Sequence, residues 1–150
     1  MSRARRTTSV HGTAVELDGI GVLLRGPPGS GKSDLALRLI DGGARLVADD
    51  RCVLKRERGR IMLSVPPAIA GLLEVRGVGV VAVALTGTAR LGLVVDLVAD
   101  GRVARLPGRA RCRYLGVPLA RLALAPFEAS AAAKVRLAAR RAARETGPGR

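Results

Sequence analysis

The chain has 150 residues, enough to bury one sizeable core, and is expected to form a single domain over 1–150 with 1–9 and 145–150 as flexible tails. Its formal net charge is +14, but Tyr114 and Phe127 are its only aromatic side chains, too few for a surface that stacks single-stranded nucleic acid. No run of about 18 apolar residues occurs, so no membrane span is expected. Cys52, Cys112 and the lone His11 lack the spacing of a zinc or redox motif.

The charge sits mostly at the ends. Residues 1–6 carry a net +3 and residues 134–150 a net +5, which leaves +6 for the long middle. Arg outnumbers Lys 23 to 3 in a chain rich in Ala and Gly, so part of the surplus reads as coding bias. What remains reads as an electropositive rim that steers an anionic nucleotide or an acidic protein; nucleic acid is not an expected partner. The basic N-terminus is followed by Thr7-Thr8-Ser9 rather than by an apolar signal core. Isolated thiols suit a reducing cytoplasm.

In chain order, His11–Leu17 alternates as a strand and Asp18-Gly19 turns the chain into a second strand, Ile20–Arg25. Next comes Gly26-Pro27-Pro28-Gly29-Ser30-Gly31-Lys32-Ser33, a complete fit to the phosphate-binding pattern G-x-x-x-x-G-K-[ST]. Leu35, Ala36, Leu39 and Ile40 then follow at helical spacing until Gly42-Gly43. A chance match to this loop is weighed down by its context, because strand, glycine loop and helix are what the mechanism needs. Glycines let backbone N–H groups converge on an anion, and the helix adds its positive end. Lys32 supplies a point charge for β- and γ-phosphates, and the Ser33 hydroxyl suits a Mg²⁺ shell. The loop predicts binding of a nucleotide or another polyphosphate.

Beyond it, Arg45–Ala48 reads as a strand ending on the carboxylates Asp49-Asp50. Cys52–Lys55 and Ile61–Val65 read as a hairpin joined by the polar Arg56–Arg60. Pro66-Pro67 breaks the pattern before Leu72–Gly77. Val78–Leu85 and Leu91–Val98 are strongly β-prone, Asp100–Arg113 is polar, Val117–Ala125 is a last strand, and Ser130–Arg144 suits a surface helix. So many strands with so few helices is unusual beside a phosphate loop, which normally belongs to alternating βα units.

That mixture, with His11-Gly12 upstream, Arg45-Leu46-Val47-Ala48-Asp49-Asp50 downstream and Glu74-Val75-Arg76-Gly77-Val78-Gly79 beyond, resembles the catalytic domain of HPr kinase/phosphorylase. The likeness is plain over about residues 10–105. It implies an α/β, β-rich phosphate-loop fold likened to phosphoenolpyruvate carboxykinase, and a hexamer. It also implies a cytoplasmic serine kinase acting on HPr, the phosphocarrier of the sugar phosphotransferase system. ATP or pyrophosphate would be the donor, with Mg²⁺, and phosphate would attack phosphoserine in reverse.

Phosphoryl transfer to serine needs charge neutralisation and a proton acceptor. Like charges side by side favour a proton on one of them, so Asp49 and Asp50 divide those tasks. The edge as base goes to Asp49 and the metal side to Asp50, though the residues alone do not separate them. By resemblance Glu74 is a metal-binding acid, and His11 and Arg105 are active-site groups; Arg76 is a candidate phosphate contact. A structural histidine, a solvated turn and a plain loop carboxylate are the competing readings of His11, the Asp pair and Glu74.

Two departures stand out. Longer members carry an N-terminal domain where this chain has ten residues, so a short form is expected. Their Pro-Val-Arg-Pro-Gly-Arg segment, tied to the reverse reaction, is replaced by Pro126–Lys134, so weak phosphorylase activity is expected unless Lys134 substitutes. A small-molecule or nucleotide kinase and a non-catalytic ATP-binding regulatory module stay open as alternatives. The first wants a lid and an acceptor-binding helical region that a β-rich remainder does not offer. The second is at odds with intact Asp49, Asp50 and Glu74.

Overall fold

Val22, Leu23 and Leu24 are fully buried in succession, and a strand can bury consecutive residues only when both faces of its sheet are covered. This strand is β3 (Ile20–Arg25), in a computed structural model that describes residues 6–99, 102–103 and 111–146. It pairs in parallel with β9 (Ala89–Leu97), which pairs in parallel with β11 (Val117–Leu124) on its other edge. On the far side of β3, β2 (Thr13–Leu17) and β4 (Arg45–Ala48) add antiparallel strands.

The start of β9 also pairs with β6 (Arg60–Ser64), which continues to β5 (Arg51–Glu57) and β1 (Thr7–His11). With one further strand paired to β11, the sheet has nine strands among the described residues and is curled and mixed. One face is covered by the helices α1 (Lys32–Asp41) and α2 (Ala131–Thr146), whose Leu35, Leu39, Val135 and Ala139 pack on Val22, Leu24, Leu93 and Val95. The curled-over strands cover the other, bringing Leu54, Ile61 and Leu63 onto Leu23, Val47 and Val94. Register slips once between β3 and β9, where Gly21 faces Leu91 but Val22 faces Leu93. The extra residue puts Leu91 and Leu93 on opposite faces.

The stretch His11–Leu17 is two strands, not one. His11 ends β1 on the β5 edge, and β2 begins in the main sheet at Thr13. A Cβ at Gly12 would lie 2.9 Å from Leu23 Cδ1 and 3.0 Å from the Leu24 carbonyl oxygen, so only glycine lets the chain cross there. Residues 7–9, expected in a tail, are part of β1 and pair with Val53–Lys55, and residues 145 and 146 complete α2. Long-range pairing supplies what the local sequence does not show. The same holds for β10 (Arg111–Tyr114), a polar stretch made a strand by antiparallel pairing with β11. The expected strand Val78–Leu85 is shortened to β8 (Gly79–Ala82). Among the described residues it pairs with β7 (Leu72–Val75) alone, as a two-stranded arm beside the main sheet.

Candidate active site

The loop Gly26–Ser33 links β3 to α1, the placement its sequence predicts. Gly31 is the residue before the helix, with φ of 100°, a left-handed backbone that glycine adopts without strain. No side chain caps this helix start, so the first-turn N–H groups and the helix dipole are directed at the loop mouth. Lys32 arches over the loop, its Nζ donating to the carbonyls of Gly26 at 2.7 Å and Pro27 at 3.1 Å. The Ser30 hydroxyl is buried and has no hydrogen-bond partner among the described residues.

Asp49, at the end of β4, gathers three donors. Ser33 Oγ donates to its Oδ1 at 2.8 Å, and the fully buried Thr13 donates to the same oxygen at 3.0 Å. The backbone N–H of Glu74 donates to Oδ2 at 3.0 Å. One carboxylate therefore joins the loop serine, β2 and the arm. Asp50 is built differently. Its φ is 67°, and the Arg51 N–H returns to the Asp49 carbonyl at 2.7 Å, closing a tight turn with Asp50 at its apex. Such a backbone is costly for a residue with a Cβ. It is held because Gly12 N–H donates to the Asp50 carbonyl at 3.0 Å. The turn leaves Asp50 exposed, and its side chain lines the same cavity as the loop.

That cavity, about 440 Å³, brings together Lys32, Ser33, Asp49, Asp50, Glu74 and Arg76. Pro28, Gly29 and Gly31 of the loop line it as well. His11 is not in its wall. It stands at the end of β1 opposite Arg51, one residue from the Asp50 turn through Gly12. Arg105 lies outside the described residues. Lys134, the candidate substitute for the missing basic segment, is absent from the lining residues and is paired with Glu128 at 2.6 Å. Of the two acids, Asp49, expected as the base, is the one hydrogen-bonded to Ser33, and Asp50, expected on the metal side, is the one the turn exposes. Adjacent acids in a sequence carry no sign of which one the turn will expose.

Four wall residues, Thr13, Asp34, Val75 and Phe127, escaped sequence reasoning as site residues, and two of them matter most. Thr13 is part of an ordinary strand pattern, and only its zero exposure beside Asp49 marks it. Phe127 lines the cavity from a segment about 95 residues beyond the loop; its one signal was being aromatic in a chain almost without aromatics. A wider cleft of about 560 Å³ runs along β5 and β6 among Arg56, Arg58 and Arg60. It holds neither the loop nor the carboxylate pair and belongs to the basic surface.

Beneath the loop, the strand ends are braced by ions. Arg25, the last residue of β3, donates to Asp96 of β9 through Nε at 2.7 Å and Nη2 at 2.8 Å, and to Tyr114 Oη at 2.9 Å. Arg121 of β11 donates to the same carboxylate. Burial alone would raise the Asp96 carboxyl, but the hydrogen bonds from Arg25 and Arg121 outweigh it and hold the group below its ordinary value.

Strand, glycine loop, helix and a strand-end carboxylate bonded to the loop serine define a phosphate-loop domain of a β-rich α/β kind. Residues 3–99 match the family model of the HPr Serine kinase C-terminal domain, and the chain belongs to that family. It is 42% identical over 104 residues to the HPr kinase/phosphorylase of Geobacillus sp. (strain WCH70), a match taking in 64% of this chain and 33% of that protein. The HPr kinase/phosphorylase of Clostridium tetani is 43% identical over 100 residues, covering 66% of this chain and 32% of its own length. The chain thus spans about a third of the length of the curated relatives it matches. Among solved structures, the Hpr(Ser) kinase/phosphatase from Coxiella burnetii superposes with a TM-score of 0.76 at 26% identity, over 93% of this chain and 95% of that one.

Proposed function

We propose that the chain acts as one catalytic domain that transfers the γ-phosphoryl group of ATP to a serine of HPr. The observation that carries this is the carboxylate pair at the end of β4. Asp49 is bonded to the loop serine at 2.8 Å, and Asp50 is turned out beside it into the same cavity. Family membership supplies the acceptor, since the relatives are named for HPr.

The donor set fits Mg²⁺. Among the described residues no group of three His, Cys, Asp or Glu gathers as a self-sufficient metal site. A hydroxyl and one carboxylate are what Mg²⁺ uses when phosphate oxygens and water complete its shell. Ser33 and Asp49 would hold the ion, with Glu74 alongside, and when bound it neutralises charge on the phosphates. Lys32 and the start of α1 bind and orient the phosphates. Asp50 accepts the serine proton, a role supported by its exposure in the wall of the cavity. The roles first expected for the two acids are thereby exchanged.

The forward reaction is favoured. Lys134 is engaged with Glu128, so the segment that replaces the family's basic run offers the cavity no free lysine for inorganic phosphate. A cytoplasmic setting accords with two free thiols and with no described helix long and apolar enough to cross a membrane. A homo-oligomer, the hexamer of the family likeness, is supported by the exposed Val78 and Val80 of the arm.

The test is labelled ATP with Mg²⁺ and, in separate reactions, HPr, AMP or no acceptor. Label on a serine of HPr alone is expected; label on AMP, or none anywhere, overturns the reading. Phospho-HPr with excess phosphate should release little pyrophosphate, and release at the forward rate would overturn the direction. Asp50→Asn should abolish transfer while keeping Mg²⁺-dependent ATP binding, whereas Asp49→Asn should weaken both.

A further inference from the structure

The cavity has one aromatic wall. Phe127 is 69% exposed, yet it lines the same space as Lys32, Ser33 and Asp50. Its ring lies against the loop: a Cβ built on Gly31 would meet Cε1 and Cζ at 3.1 Å. A ring so open gains little from burial, so the backbone on either side must hold it. Arg38 of α1 donates to the Pro126 carbonyl through Nη2 and to the Glu128 carbonyl through Nη1 at 3.4 Å. Asp34 fixes the same guanidinium at 3.0 Å. Phe127 is staked to the loop helix from both neighbours.

The helix also tells which part of a ligand would meet the ring. Gly31, Asp34 and Arg38 follow at spacings of three and four, so they share one flank of α1. Ser33 looks to another, where Asp49 meets it. The transferred end of a bound triphosphate belongs with the carboxylates. Phe127 therefore faces the remote end, which in a nucleotide is the nucleoside. Phosphate oxygens gain nothing from a phenyl ring, while a purine gains by stacking on it.

We propose that Phe127 is a base-stacking wall, the residue that makes this site prefer a nucleoside triphosphate to an inorganic polyphosphate. The proposal rests on reading the loop as a nucleotide site. Calorimetric titration of the full chain with ATP and with inorganic tripolyphosphate, both with Mg²⁺, tests it. Phe127→Ala should weaken ATP binding about tenfold, leave tripolyphosphate unchanged, and fold as the wild type does by circular dichroism. Phe127→Trp should keep ATP affinity within about twofold or improve it. An ATP affinity unchanged by Phe127→Ala overturns the proposal, as do equal losses for both ligands, which would make the ring a mere support of the loop. A wild-type chain that holds tripolyphosphate as tightly as ATP overturns the wall but leaves the loop reading standing. A wild-type chain that binds neither overturns both.

Discussion

Strands β9 and β8 are built from the same kind of residues and end in opposite surroundings. In β9, Leu93, Val94 and Val95 are at most 2% exposed, between β3 and β11 and beneath helices on one side and curled strands on the other. In the arm, Val80 is 65% exposed and β8 has a single strand partner among the described residues. Strand propensity fixes an extended backbone and says nothing of how many neighbours it will have. The site draws on both regions. Lys32 and Ser33 open the helix that follows β3, and Asp49 and Asp50 follow the end of β4, while Glu74 and Arg76 ride on the arm. An isolated two-stranded ribbon is marginal in water. This one is fixed by the buried Leu73, by Glu74 N–H on Asp49, and by Leu46 N–H on the Ala84 carbonyl at 2.8 Å.

The two regions should part most visibly in activity. Lys32→Ala should lower transfer to HPr by about 10²–10³-fold with the thermal midpoint essentially unmoved, since the lysine bridges loop carbonyls and packs no core. Glu74→Gln should cost less, about ten- to a hundredfold, and should raise the Mg²⁺ concentration needed for half-maximal rate. Steady-state kinetics across a Mg²⁺ series would show it; equal collapse of both variants would erase the distinction between sheet and arm.

Stability should separate the regions just as sharply. Leu93→Ala removes a side chain that is 2% exposed and should cost about 2–5 kcal/mol in urea unfolding. Val80→Thr, on the open face of the arm, should change stability by no more than about 0.5 kcal/mol. A larger loss there would mean that the arm is covered in solution, by another copy of the chain or by its own neighbours.

The main sheet alone should show an acid limb from the Arg25–Asp96–Arg121 brace, for no ion pair ties the arm among the described residues. Asp96 sits below its ordinary value when folded. Its pairing therefore stabilises the fold above the normal carboxylate range and is lost as pH falls through the lowered value. Asp96→Asn should lower stability at neutral pH and flatten its decline toward acid, read from urea midpoints across the range. The smallest effect is long-range. Raising ionic strength should slow association with HPr severalfold while leaving saturated turnover nearly unchanged, because exposed charge steers encounter and is screened. A flat on-rate would remove the steering role of the basic rim.

Some of this was open to reading from the chain. Gly26–Ser33 needs only local chemistry: glycines where the backbone must approach an anion, a lysine, a hydroxyl, and an apolar spacing that makes the next segment a helix. The β5–β6 hairpin and the strand leading into Asp49 were legible for the same reason, since alternation and turn residues act over a few positions. The different settings of Asp49 and Asp50 were not. They follow from a turn held by Gly12 and from hydrogen bonds to Thr13, Ser33 and Glu74, groups from three other parts of the chain.

Local chemistry along the chain is enough to specify a phosphate-binding loop between a strand and a helix, an acidic strand end beyond it, and a likeness that foretells the family. Which acid meets Ser33, the separation of β8 from the main sheet and the return of Phe127 to wall the cavity come from the folded arrangement instead. The first set depends on residues adjacent in sequence, whose preferences are fixed before the chain closes. The second depends on pairings between residues tens of positions apart, and those exist only once the sheet has chosen its neighbours.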